Sequence, residues 1–298
     1  VTGVQTCALP IFCLVFMNVN YDTEYQLAMA YRRIMGDRPI TQMWEPNQTS
    51  VFLCAIFLKL YLAVAKTTTG VVLYMQLIGL LIRTCVGLGL YRALKGVCET
   101  PTRTLVLMSY ILISPKEMLI PEYSNMQLWF GTLLFLFLFF YLQTKKKYLL
   151  VLAAVSLCLE VVAYPSCLLV YLAAAVILWK YSETKGRDLA LFTGVCAMIG
   201  LVVLWYYLGG IEPEVIGKCL HAALAVEPTH TVGFGKKLAA YMGNMIDTAL
   251  ILCAFGIGGA IVEICVGVVC RKDRGDGKFK TAEWGLFTSV GLLIYLLG

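Results

Sequence analysis

Residues 50–65 read SVFLCAIFLKLYLAVA, and whether this stretch crosses a membrane decides the topology of everything after it. It is apolar throughout except for Lys59. At about 1.5 Å per residue it is short for the roughly 30 Å of hydrocarbon that a span must cover. The surrounding chain is that of a membrane protein. Of its 298 residues 60% are hydrophobic and 14% charged, and its mean hydropathy is +0.79. A soluble domain of this length has too little interior to hide so much apolar surface. The same composition excludes disorder, coiled coil, collagen and a disulfide-stapled secreted module.

Outward from 50–65, apolar runs of spanning length cover about 70–91, 104–121, 126–142, 148–179, 188–209, 244–269 and 284–298. The run 148–179 is too long for one crossing. It carries Glu160 and Pro165 at its middle, in LEVVAYPSCLL, and reads as two short helices joined by a tight bend. Residues 12–17 read as the end of a first helix.

Charge settles 50–65. If it does not cross, the loops 92–103, 143–147, 180–187 and 271–283 face inward with 14 Lys and Arg, and nine face outward on longer segments. If it crosses, those 14 move outside, against the positive-inside rule. The run therefore reads as an interfacial or re-entrant helix on the outer face. The fold class expected is all-α and polytopic, with about nine crossings plus this outer juxtamembrane helix.

Residues 1–11, VTGVQTCALPI, resemble a translated sequencing adapter and are set aside. Residues 12–298 then form one transmembrane domain, expected to be truncated at both ends and of bacterial origin. The 12 cysteines form no CxxC pair, and most sit in apolar runs as small hydrophobes. No zinc-type ligand spacing, phosphate loop, GxSxG, HExxH or Walker sequence is present. The net charge of +6 belongs to topology, so no nucleic-acid partner is expected.

The chemistry-bearing stretch is NVNYDTEYQLAMAYRRIMGDRPITQMWEPNQTS, residues 18–50. Asp22 and Glu24 follow the exit of the first helix. Residues 23–35 favour a helix that Asp22 is placed to cap, and Gly36 suits its left-handed end. Arg32 and Arg33 lie at the far end. Carboxylates at a membrane face with cations nearby suit chemistry on a lipid-linked phosphate, where a base deprotonates an acceptor and cations bind the leaving group. Asp22 reads as base or as cap, and Glu24 as second carboxylate or solvated face.

The order of an acidic pair after helix one, Tyr25 and Ala30, Gly36-Asp37-Arg38-Pro39, Trp44-Glu45-Pro46 and an apolar outer helix resembles the GT-C superfamily of membrane glycosyltransferases. The likeness is to bacterial relatives of protein mannosyltransferases and aminoarabinose transferases. It covers about residues 12–180, with Ala163-Tyr164-Pro165-Ser166 as a weaker echo. In this chain Thr23 splits the usually adjacent acids. The resemblance implies transfer, with inversion, of a sugar from a polyprenyl phosphate to a hydroxyl on a glycan, lipid or protein, at the outer face of the plasma membrane. It makes Asp22 the catalytic base and Glu24 the second choice. No cofactor is expected, although some branches of the family hold a divalent metal at this acid.

Candidate donor-phosphate contacts are Arg32, Arg33, Lys59, Arg83 and Lys116, with lipid headgroups as the rival ligand of the first three. Arg83 is the basic residue well inside a spanning run, which makes it a functional candidate in its own right. Glu122 and His230 are candidate acceptor contacts, and His221 with His230 is a weak metal pattern. The alternative classes are a lipid-linked glycan transporter or flippase, and an O-antigen-type polymerase or ligase working through Lys218, His221 and His230 in a late outer loop.

Overall fold

The computed structural model describes residues 21–43, 48–112, 119–226 and 243. The chain divides into Val1–Ala223 and Leu224–Gly298, and the described residues fall almost wholly in the first unit. The elements there are α1 (Tyr21–Met35), α2 (Val51–Ala65), α3 (Val71–Ala93), α4 (Thr100–Leu112), α5 (Tyr123–Thr144), α6 (Lys147–Ala163), α7 (Val170–Tyr181) and α8 (Lys185–Leu208). α9 (Pro213–Val226) runs on past the division. Among the described residues there is no strand, so the all-α expectation holds. Four segments are long and apolar enough to cross a membrane: Gln48–Ala65, Val71–Ala93, Tyr123–Thr144 and Lys185–Leu208. The runs at 12–17, 244–269 and 284–298 lie outside the described residues.

Local chemistry sets the boundaries. α1 ends on Gly36 at φ +106°. Asp37 N donates to Arg32 O and Gly36 N to Arg33 O, a paired closure that satisfies the last carbonyls of the helix. The start of α1 corrects one expectation. Asp22 lies inside the first turn and does not cap it from outside. The bend in 148–179 is where the sequence places it. α6 stops at Ala163, and Tyr164 is extended, as the residue before a proline prefers. A 3-10 turn, Pro165–Leu169, then leads into α7.

The helices α3 to α8 pack so that their ends fall into two groups. At one end Tyr123 opens α5 and stacks on Tyr164 after α6, with ring centroids 5.6 Å apart. At the other end the Asp188 carboxylate, 1% exposed, gathers four segments. It accepts from the hydroxyls of Tyr141 (α5) and Ser182 (after α7) and from the ammonium of Lys147, the first residue of α6. The carboxylate holds the Lys147 pKa above its ordinary value. Also at this end, the Arg103 guanidinium lies over the Tyr91 ring, 4.8 Å from its centroid.

α2 packs on α1, α3 and α5. Ser50, just before it, meets Gln26 and Pro121. Tyr61 packs on Tyr74 in the first turn of α3, 4.9 Å between centroids. Between them Phe52 stacks on Phe130 at 6.5 Å, a residue about 10 Å along α5 by helix rise. The buried face of α2, Val51, Cys54 and Leu58, packs with Met29, Ala30, Met43, Met75 and Ile120. The opposite face of α8 shows Met198, Leu201, Val202 and Trp205 to the surroundings. That surface suits lipid and not water.

Candidate functional site

The polar groups that the bundle buries concentrate where α1, α2, α3 and the start of α5 meet. Gln26 is the hub. It lies on the face of α1 that also buries Thr23, Met29 and Ala30. Its Nε2 donates to the Ser50 hydroxyl at 3.2 Å and to Pro121 O at 3.2 Å, and the Ser50 hydroxyl returns a bond to Gln26 Oε1 at 3.3 Å. One amide therefore fastens α1, the start of α2 and the segment entering α5.

Arg83 is the second hub, with no exposed surface. Its guanidinium donates to Ile111 O, near the end of α4, at 3.4 Å, and to Asn125 Oδ1 in the first turn of α5. It thereby grips both ends of the connection between α4 and α5. Asn125 Nδ2 donates in turn to Ile120 O at 3.0 Å. Glu122, 1% exposed, is the N-cap of α5 and accepts from Asn125 N at 2.8 Å. Its charge also interacts favourably with Arg83. Gly79 lets α3 lie against this segment, because a Cβ there would stand 2.6 Å from the carbonyl carbon of Leu119.

The expected site residues separate accordingly. Arg83 and Glu122 come together inside the protein, where they hold the α4–α5 connection. Lys116 within that connection, and His230, lie outside the described residues. Arg32 is tied to Asp37 by an ion pair of 2.7 Å and also donates to Gln42 O, closing the turn after α1. Arg33 donates to the Tyr206 hydroxyl near the end of α8 and lies over its ring, 5.4 Å from the centroid. Lys59 is exposed on the outer flank of α2. His221 is exposed on α9.

Asp22 and Glu24 are both exposed in the first turn of α1, but helical geometry distinguishes them. Asp22 precedes Gln26 by four residues and shares its side of the helix. Glu24 precedes it by two and points the other way. Asp22 thus stands at the rim of the buried polar junction and Glu24 does not.

No family model, curated protein or solved structure matches the chain. The functional reading rests on the residues and their geometry. Among the described residues no group of three His, Cys, Asp or Glu could hold a metal ion.

Sequence reasoning missed Gln26 and Asn125. Both are uncharged residues in helices, and their partners lie up to 95 positions away. The one available signal was a glutamine on the face of α1 that also carries Thr23, Met29 and Ala30.

Proposed function

We propose that this chain is a GT-C-type membrane glycosyltransferase with about nine crossings, α2 being an outer re-entrant or interfacial helix. It moves a sugar from a polyprenyl-phosphate donor to an acceptor hydroxyl on a glycan, lipid or protein at the outer face of the plasma membrane. Asp22 takes the proton of the acceptor as that oxygen attacks the anomeric carbon. The polyprenyl phosphate leaves from the opposite side, so the configuration inverts. Exposed outer cations, Lys59 first among those described, bind the departing phosphate together with Lys116. Arg83, Asn125 and Gln26 act as positioning residues: they hold the α4–α5 connection and α1 in register.

The observation that carries this reading is the Gln26 junction. It joins the helix bearing Asp22 to the outer helix and to the connection bearing Lys116, at the end of the bundle opposite the basic loops. An enzyme acting at the outer surface needs such a rigid outer platform.

The test uses membranes containing the full-length protein and a panel of polyprenyl-phosphate sugars. Wild type should turn over one donor, Asp22→Asn should lose nearly all turnover while inserting normally, and Glu24→Gln should retain it. Full activity of Asp22→Asn would remove Asp22 from the mechanism. Well-inserted wild type that turns over no donor would shift the weight to a lipid-linked glycan transporter or an O-antigen-type polymerase.

A further inference from the structure

Away from the outer junction, α6 and α8 cross closely over small side chains. Cys158 of α6 and Cys196 of α8 face each other there. The Cys158 thiol donates to Cys196 O at 3.8 Å, and the Cys196 thiol donates to Ala154 O, one turn before Cys158, at 3.9 Å. Ala153 and Ala154 are buried at the crossing, which lets the backbones approach. Each thiol keeps partial exposure on the flank of the bundle.

Their depth is also matched. α6 starts at Lys147 and α8 at Lys185, and both starts belong to the Asp188 knot. Each cysteine follows its helix start by 11 residues (158 − 147 and 196 − 185). That puts both about 16 Å above the same end, near the middle of the hydrocarbon. Water-soluble disulfides do not reach this depth, but a lipid-soluble oxidant does.

We propose that Cys158 and Cys196 form an oxidisable dithiol, a modification site joining α6 to α8 that takes a membrane quinone as its oxidant. Two S–H bonds break and one S–S bond forms. The two electrons and two protons pass to the quinone, which leaves as the quinol. The bridge fixes α8, whose far end holds Arg33 of α1 through Tyr206. It does not depend on the glycosyltransferase reading.

The experiment treats membranes containing the full chain with a short-chain benzoquinone. The sample is then denatured in detergent with N-ethylmaleimide and digested, and the cysteine peptides are mapped by mass spectrometry. The expected product is one peptide pair joined through Cys158 and Cys196, absent without quinone. In Cys158→Ala, Cys196 should be recovered as its maleimide adduct. Size-exclusion profiles matching wild type establish that the variant is folded, and Cys196→Ala provides the reciprocal control. Recovery of both cysteines as adducts from quinone-treated, folded wild type would overturn the proposal. So would joining of either to a different cysteine, or a bridge that forms with copper phenanthroline but not with quinone.

Discussion

Replacing Gly79 by alanine tests whether α3 supports the outer junction by backbone contact. The added Cβ would stand 2.6 Å from the Leu119 carbonyl carbon. That is about 1 Å inside ordinary carbon–carbon contact. The obstacle is main chain, so no rotamer change relieves it, and either α3 or the 119–121 segment must move. Overpacking of this kind costs about 1–3 kcal/mol. The displaced segment also carries Pro121 O, which accepts from Gln26, and Ile120 O, which accepts from Asn125. Weakening those buried bonds adds about 1 kcal/mol each. Alanine's better helix propensity returns about 0.5–1 kcal/mol, so the net expectation is a loss of about 3 kcal/mol. Gly200 of α8 is the matched control, since a Cβ there meets nothing within 4 Å. Gly200→Ala should be neutral or stabilise by up to about 1 kcal/mol. The assay is the fraction of monodisperse protein surviving graded heating in detergent. Gly79→Ala should lose half its protein several degrees below wild type, and Gly200→Ala should not. Equal curves for the two variants would refute the contact.

Three further expectations follow from the same geometry. Asp188→Asn keeps the shape of the knot but removes the charge that three donors serve, and should lower thermal survival by about 2 kcal/mol. Lys147→Met should cost less, because its side chain is 52% exposed and solvent screens the pair; the opposite ranking would argue against a carboxylate-centred knot. Gln26→Leu should leave insertion intact yet loosen α1, seen as faster proteolysis in the turn 36–43, whereas Gln26→Glu should keep at most part of the anchoring; unchanged proteolysis in Gln26→Leu would remove Gln26 as the hub. In a cysteine-free background, Lys59→Cys and Thr67→Cys should both be labelled by an impermeant maleimide from the outer face, and labelling from opposite faces would make Gln48–Ala65 a crossing.

How far the sequence could be read depended on how local each signal was. The helices α3, α5 and α8 follow from apolar length, the bend from Pro165, and the end of α1 from Gly36. Each of these is set by neighbours within a turn. Asp22 was misplaced as a cap because a capping residue and a first-turn acid are favoured by the same positive helix end, and composition does not separate them. Arg83 was legible as unusual but not as a clamp, since its partners Ile111 and Asn125 lie 28 and 42 positions on. The Asp188 knot looked like ordinary loop charge. Its residues come from four segments, and nothing in 141–188 marks Tyr141 and Ser182 as ligands of one carboxylate. The Cys158–Cys196 pair was hidden in the same way, behind apolar runs in which each cysteine reads as a small hydrophobe.

Charge bears on which way the bundle is expected to face: Arg92, Lys95, Arg103, Lys145, Lys146, Lys147, Lys180, Lys185 and Arg187 all lie in or beside the connections at the Asp188 end. The positive-inside rule assigns such short, cation-rich loops to the cytoplasmic side. Packing gives the pairing of α2 with α3: Tyr61 lies on Tyr74 in the first turn of α3, and Phe52 and Leu53 pack with Ile82 and Val86 further along it, an antiparallel arrangement. On the proposed orientation, with Asp22 at the outer face, the proposed reaction must draw on a donor already present at that face. A lipid-linked sugar meets that requirement and a cytoplasmic nucleotide sugar does not.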